Sequence, residues 1–310
     1  METSAASQTL TGVIRASPTL EFSLKIGAVF PQTEIGSDPI GVRDYAQAVE
    51  DMGFTHVLIY DHVLGATTEG RGFKMPYNEN SMFHEPFVVF GYLAGLTKRI
   101  ELVTGVIILP QRQTVLVAKQ AAELDVLSGG RFRLGVGVGW NPVEYEGLNE
   151  DFHNRGKRIE EQVELLRKLW TEPVLDYHGK WHSIDRAGLN PLPVQRPIPI
   201  WFGGTAESAL RRIAKIADGW MPNNKPATGW AGEVERMRGW VREAGRDVNA
   251  FGIDGRINAA MGTADDWRAQ TDEWRSLGAT HIDVNTMGGG LRGPTEHLNR
   301  LRQVKAALEI

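Results

Sequence analysis

The stretch AKQAAELDVLSGGRFRLGVGVGWNPVEYEGL, residues 118–148, holds one repeat of the pattern that builds this chain. A helical segment running from about Gln113 to Leu127 stops at Ser128-Gly129-Gly130, where glycine supplies the left-handed conformation that ends helices. Arg131–Val138 then reads as an apolar strand and passes straight into Gly139-Trp140-Asn141-Pro142. A strand followed by a turn and an amphipathic helix is the unit of α/β architecture.

The same alternation extends in both directions. Upstream, the first strand is Leu24–Phe30, ended by Pro31, and the helix after it carries Val42, Tyr45, Ala46, Val49 and Met52 at helical spacing, closed by Gly53. The second strand, His56–Tyr60, runs into Asp61-His62 and a polar loop from Gly65 to Glu85, long enough to suggest function. Pro86 opens a helix, FVVFGYLAGLTK, and the third strand spans Ile100–Leu109. Downstream, the helix Arg155–Trp170 carries Ile159, Val163, Leu166 and Trp170 on one face. Strands five to eight read as Ile198–Phe202, Asp218–Pro222, Phe251–Ala260 and His281–Thr286, and their helices as Ala206–Ala217, Gly232–Ala244, Ala264–Leu277 and Pro294–Leu308. Eight strand–helix units are the number that closes a (β/α)8 TIM barrel. A doubly wound sheet needs a glycine-rich turn after its first strand, and here that strand ends in Phe-Pro-Gln. Residues 171–197 break the rhythm: VLDYHGKWHSID reads as a hairpin about His178-Gly179, followed by PLPVQRP, an insertion after the fourth helix expected to lie over the barrel mouth. Residues 23–310 read as a single barrel domain and residues 1–22 as a tail outside it.

Bulk properties bound the chemistry. There is no cysteine among 310 residues, which removes disulfides, thiolate metal sites, iron–sulfur clusters and cysteine nucleophiles. Redox chemistry must therefore come from an organic cofactor or from a metal held by N and O ligands. A net charge of −4 gives no bulk attraction to nucleic acid. No segment has the apolar length of a signal peptide or a membrane span, so a cytoplasmic protein is expected. His178 and His182 are four apart, but the intervening Gly-Lys-Trp does not read as a helix, and no His-Glu-x-x-His occurs, so no metal is expected. A Gly-x-Ser-x-Gly elbow is also absent.

Barrel enzymes place their chemistry at the C-terminal ends of the strands. Four signals lie there. Gly203-Gly204-Thr205 precedes a helix, an arrangement that presents free amides and a positive dipole end to a phosphate; Thr205 could instead simply cap the helix. Gly135, Gly137 and Gly139 alternate along strand four and leave one face bare for a flat ring or for a bulky neighbouring side chain. Gly105, inside strand three, suggests a bulge or a packing glycine. Asp61-His62 offers a proton-transfer pair or a structural pair. Trp140, Trp181 and Trp201 lie near loops that could line a pocket.

Taken together, IYDH (59–62), VTGVIILP (103–110), the 118–148 stretch and IPIWFGGTAESALRRIAKIADGWMP (198–222) resemble the bacterial luciferase-like monooxygenase superfamily over essentially the whole barrel. The chain looks most like its actinobacterial branch that uses the deazaflavin coenzyme F420; relatives that use FMN share much of the pattern. The resemblance implies that Gly105-Val106, with Thr104 before them, form the bulge supporting the cofactor ring, often through a non-prolyl cis peptide. It implies that Gly137, Gly139, Trp140 and Asn141 lie beside the cofactor, that Gly203, Gly204 and Thr205 hold its phosphate, and that His62 and Asp61 stand near the reactive face as catalytic residues. The sugar-phosphate dehydrogenase branch carries a catalytic glutamate where this chain has Trp140, so glucose 6-phosphate is not the expected substrate. The expected activity is hydride transfer between coenzyme F420 and a small organic substrate, with His62 handling a proton and a homodimer as the assembly. The alternatives are an FMN-dependent monooxygenase, a non-catalytic flavin-binding barrel and a flavin-free aldolase or isomerase; no strand-end lysine stands out for the aldolase.

Overall fold

The computed structural model describes residues 24–71, 76–222 and 226–310; the expected tail, residues 1–22, lies outside the described residues. In chain order the elements are β1 (Lys25–Val29), α1 (Pro39–Asp51), β2 (His56–Ile59), α2 (Pro86–Ala94), β3 (Glu101–Thr104), β4 (Ile107–Ile108), α3 (Thr114–Ser128), β5 (Phe132–Gly137), α4 (Pro142–Gly147) and α5 (Arg155–Thr171). They continue with β6 (Leu175–His178), β7 (Ser183–Ala187), β8 (Ile200–Gly203), α6 (Glu207–Ile216), β9 (Gly219–Met221), α7 (Ala231–Glu243), β10 (Gly252–Asn258), α8 (Ala264–Ser276), β11 (His281–Asn285) and α9 (Gly293–Leu308).

Parallel pairing runs β1-β2-β3-β5-β8-β9-β10-β11 and returns from β11 to β1, so the sheet closes into the (β/α)8 barrel that the unit count requires. The third strand departs from the continuous run that its sequence suggests. It is broken into β3 and β4 at a cis peptide bond between Gly105 and Val106, and both pieces pair with β5. The helices dock by apolar faces. On α1, Asp38 caps the first turn by accepting from the Ile40 amide at 3.0 Å, Val42, Ala46 and Val49 are buried, and the Tyr45 hydroxyl donates to the Val29 carbonyl at 2.9 Å. That last bond pins the helix to the end of β1.

Side chains fill the barrel in two layers. The deeper layer is charged: Arg133 pairs with Asp254 at 2.9 Å and Glu101 at 3.1 Å, and His56 with Asp283 at 3.1 Å. Burial and the neighbouring Asp283 charge push the Asp254 carboxyl up to about 6. Burial opposes ionisation of Asp283 too, but the His56 hydrogen bond and the charges of His56, Arg256 and Arg133 hold its carboxyl below the ordinary range. His56, Asp254 and Asp283 bring ligand-type atoms within 4.8 Å of one another. A cation there would have to displace Arg133 and Arg256 from the two carboxylates, so the cluster is a salt-bridge network in character. Above it lies an apolar layer of Val29, Leu58, Val103, Trp201 and Met221, against which Tyr60, Val106 and Met287 pack. Trp201 does not line a loop pocket, as its position in the sequence suggests; it points down the barrel. A Cβ added to Gly219 or Gly252 would lie 2.4 Å or 2.1 Å from its ring, and the Arg133 guanidinium sits 4.4 Å from the ring centroid.

The hairpin of β6 and β7 packs on the outer wall between α3 and α5. The Glu161 carboxylate accepts from the amides of Lys180, Trp181 and His182, His182 Nε2 meets Thr114 Oγ1 at 2.6 Å, and the Gln195 amide donates to Asp125 at 2.8 Å. These contacts hold the insertion beside the barrel with its tip at the rim, and differ from the cover across the mouth that the sequence suggests. Trp181 accordingly lines an outer cleft with Lys157 and Arg212. Among the described residues, no helix is long and apolar enough to cross a membrane.

Candidate active site at the barrel mouth

The floor of the mouth is made by the break in the third strand. Where β3 leaves β5, the Thr104 hydroxyl takes over the ladder: it donates to the Gly135 carbonyl at 2.8 Å and accepts from the Gly135 amide at 2.9 Å. Thr104 is fully buried and its one hydroxyl donor is committed to this bridge, so it supports the bulge. Thr104→Val keeps the shape and leaves both Gly135 groups unpaired. A loss of about 2–4 kcal/mol of stability is expected in urea unfolding at constant m-value; a loss below about 0.5 kcal/mol would show that the bridge is unimportant.

Beyond the cis bond the chain turns the Val106 side chain into the mouth. A Cβ on Gly137 would lie 2.7 Å from Val106 Cγ2, one on Gly203 3.2 Å from Cγ1, and one on Gly139 2.7 Å from Ile108 Cγ2. Gly137 and Gly139 therefore make room for side chains of the third strand, as the second of the two readings has it, whereas Gly135 lets the Thr104 backbone carbonyl approach. A flat ligand entering the mouth meets Val106 as its floor, with Gly137 and Gly203 beneath that side chain.

Asp61 secures this floor from the neighbouring strand. Its buried carboxylate accepts from the Ile108 amide at 3.1 Å and from Arg112 Nη2 at 2.7 Å, and Arg112 Nη1 reaches Glu85 at 3.0 Å. Burial pushes the Asp61 carboxyl up despite the Arg112 charge. The expected pairing of Asp61 with His62 is not formed. His62 turns to Glu144: Nδ1 lies 3.2 Å and 3.3 Å from the two carboxylate oxygens. Because a carboxylate can only accept, Nδ1 carries the proton of this bond. The Glu144 carboxylate also accepts from the Val63 amide at 2.7 Å and the Leu64 amide at 3.3 Å. Tyr77, Phe83 and Trp140 surround the imidazole with ring centroids at 5.2, 4.7 and 5.4 Å.

Glu144 stands on α4, a helix too short to register in the sequence pattern. Asn141 starts it, accepting from the Val143 amide at 3.1 Å, and Asn141 is buried. Asn141 thus acts on the protein's own backbone, setting the angle at which Glu144 reaches back to residues 62–64. Gly139, with φ of +63°, makes the turn before it, and Trp140 lies half-exposed beside His62.

The other wall is the start of α6. Thr205 does not cap this helix: Ala206 occupies the N-cap position and no side chain bonds to the first turn. Helical bonding begins with Ala209 and Leu210, whose amides donate to the Ala206 carbonyl. The earlier amides of an α-helix have no partner within it and carry its positive dipole end. Gly204 is held at φ of +152° and its carbonyl accepts from Trp220 Nε1 at 2.9 Å, which fixes the turn from below. Residues 205–208 are exposed. The turn, the Val106 floor and His62 therefore share one rim, and they suit a ligand with a flat apolar ring and an anionic tail.

The chain is similar to known proteins in sequence and in fold. Residues 25–277 match the luciferase-like monooxygenase family. An uncharacterised protein of Mycobacterium tuberculosis is 35% identical over 222 residues, 68% of this chain and 76% of its own. An FMNH2-dependent dimethylsulfone monooxygenase of Pseudomonas putida is 27% identical over 219 residues, 68% of this chain and 57% of its own. The coenzyme F420-dependent tetrahydromethanopterin reductase of Methanopyrus kandleri has a TM-score of 0.71 with this fold at 18% identity, covering 91% of this chain and 99% of that one.

Proposed function

The chain belongs to the luciferase-like monooxygenase family, and from that premise we propose that it is an oxidoreductase that moves a hydride between coenzyme F420 and a small organic substrate. The observation that carries this reading is the uncapped start of α6 standing on the same rim as the Val106 floor. A bound deazaflavin supplies a ring carbon that gives or accepts a hydride, the step protein side chains cannot perform.

The residues of the chain do the rest. The amides of 205–208 and the turn Gly203-Gly204 hold the phosphate. Val106 supports one ring face, while Thr104 and Asp61 keep Val106 in place by holding β3 and β4. Trp140, Tyr77 and Phe83 keep water from His62. His62 is the proton-handling group: Nδ1 is tied to Glu144, which leaves Nε2 to exchange a proton with substrate.

The F420-dependent fold neighbour supports the deazaflavin. The relative from Pseudomonas putida supports a second reading, an FMN-dependent monooxygenase. Isothermal titration of the apoprotein with each cofactor separates them. Tight binding of F420 alone is the expected result, tight binding of FMN alone selects the second reading, and binding of neither removes both.

A further inference from the structure

Among the described residues the barrel interior holds two arginines, and they are unequally paired. Arg133, 2% exposed, lies between Asp254 and Glu101. Arg256, 20% exposed, has Asp283 as its ion-pair partner at 3.4 Å, long for a charge-assisted bond, and Asp283 is shared with His56 at 3.1 Å. Arg256 Nε and Arg133 Nη2 are both buried without a hydrogen-bond partner, but Arg133 Nη2 has the Glu101 carboxylate 3.1 Å away, while Arg256 Nε has no carboxylate in an ion pair with it. The guanidinium rises past the charged layer to 5.1 Å from the centroid of the Tyr60 ring, in the layer that opens to the mouth.

Its position relative to the floor is informative. β10 is the seventh strand of the barrel and stands across it from the third, which carries Val106. A ring resting on Val106 turns its free face towards Arg256. Tyr77 ties this region to the proton-handling group: its ring is 5.2 Å from His62, and its phenol feels the Arg256 charge. Burial pushes the Tyr60 phenol up to about 12, with Arg256 pulling the other way, so Tyr60 remains a neutral donor beside a permanent cation.

We propose that Arg256, with the Tyr60 hydroxyl, is the substrate anchor, and that the substrate carries a carboxylate or a comparable oxyanion. The inference rests on the reading that the mouth receives a substrate. A planar guanidinium held by one long ion pair and 20% exposed can still offer N–H donors to a carboxylate, whose charge a neutral amide lacks. The anion lies on the side away from Val106 and within reach of the space that Tyr77 shares with His62.

The test needs no cofactor. Sodium benzoate and benzamide are titrated calorimetrically into the full-length protein carrying Ala206→Asp, in which the α6 amides are capped and offer no second anion site. Benzoate is expected to bind at least about tenfold more tightly than benzamide. Arg256→Met should bring the ratio to about one, Arg256→Lys should keep part of it, and Tyr60→Phe should weaken benzoate several-fold, each variant being checked for folding by its thermal transition. No preference for benzoate, or a preference that survives Arg256→Met in folded protein, overturns the proposal. F420 and FMN titrations of Arg256→Met, in protein with the native Ala206, decide whose anion is held: affinity within about threefold of wild type is expected, and a tenfold loss would transfer the anion to the cofactor ring and overturn the substrate assignment. Failure of either cofactor to bind wild-type protein would remove the hydride-transfer reading and leave the benzoate result standing.

Discussion

Ala206→Asp is expected to raise stability and to abolish tight cofactor binding. Ala206 is the N-cap of α6 and offers the first-turn amides nothing. Aspartate is among the best N-cap residues, worth about 1 kcal/mol over alanine, and its charge suits the helix dipole. The same carboxylate occupies the amides assigned to the phosphate and sets a like charge against it. Two unit charges about 4 Å apart near a protein surface interact by roughly 4 kcal/mol, which corresponds to about a 100- to 1000-fold loss of affinity. Thermal unfolding and cofactor titration on one preparation check both halves. A higher melting temperature together with a cofactor affinity within about threefold of wild type would place the phosphate elsewhere and remove the central support for the proposed function.

Much of the barrel was legible because its period is strong. Strands and amphipathic helices alternate, and Gly129-Gly130 punctuates one unit cleanly. The break in the third strand was legible through Gly105 alone, since glycine inside a central strand calls for a special backbone. The side-chain pairings were not legible, for identifiable reasons. Asp61 and His62 are adjacent, and adjacency suggests partnership, but successive residues of an extended chain point to opposite sides. Asp61 therefore faces Arg112 and Ile108 while His62 faces Glu144, 82 positions away in sequence. The strand-four glycines were ambiguous because what fills a bare strand face is decided by the neighbouring strand. The place of Trp201 before Gly203-Gly204 suggests a rim residue, yet the alternation of β8 turns it into the barrel. Arg256 does leave a signal in the sequence: Asp254, Arg256 and Asn258 alternate with Gly255 and Ile257 on β10, and charges at period two on a barrel strand face the interior or the mouth.

The second large effect concerns His62. His62→Ala is expected to lower kcat about 100- to 1000-fold for whichever substrate the enzyme turns over, the usual range for removing a positioned proton donor or acceptor. Cofactor affinity should stay within about threefold, because the imidazole packs on Tyr77, Phe83 and Trp140 and not against the α6 turn. Glu144→Gln tests the support behind it. Glutamine can still accept from the Val63 amide, so the loop keeps its anchor, but it presents no charge to His62 Nδ1. An intermediate loss of about tenfold in kcat follows if the carboxylate orients and polarises the imidazole. Stopped-flow absorbance of the bound cofactor resolves the chemical step from binding. If His62→Ala turned over at the wild-type rate, the proton would have another source, and the His62–Glu144 pair would be a device for shaping the loop after β2.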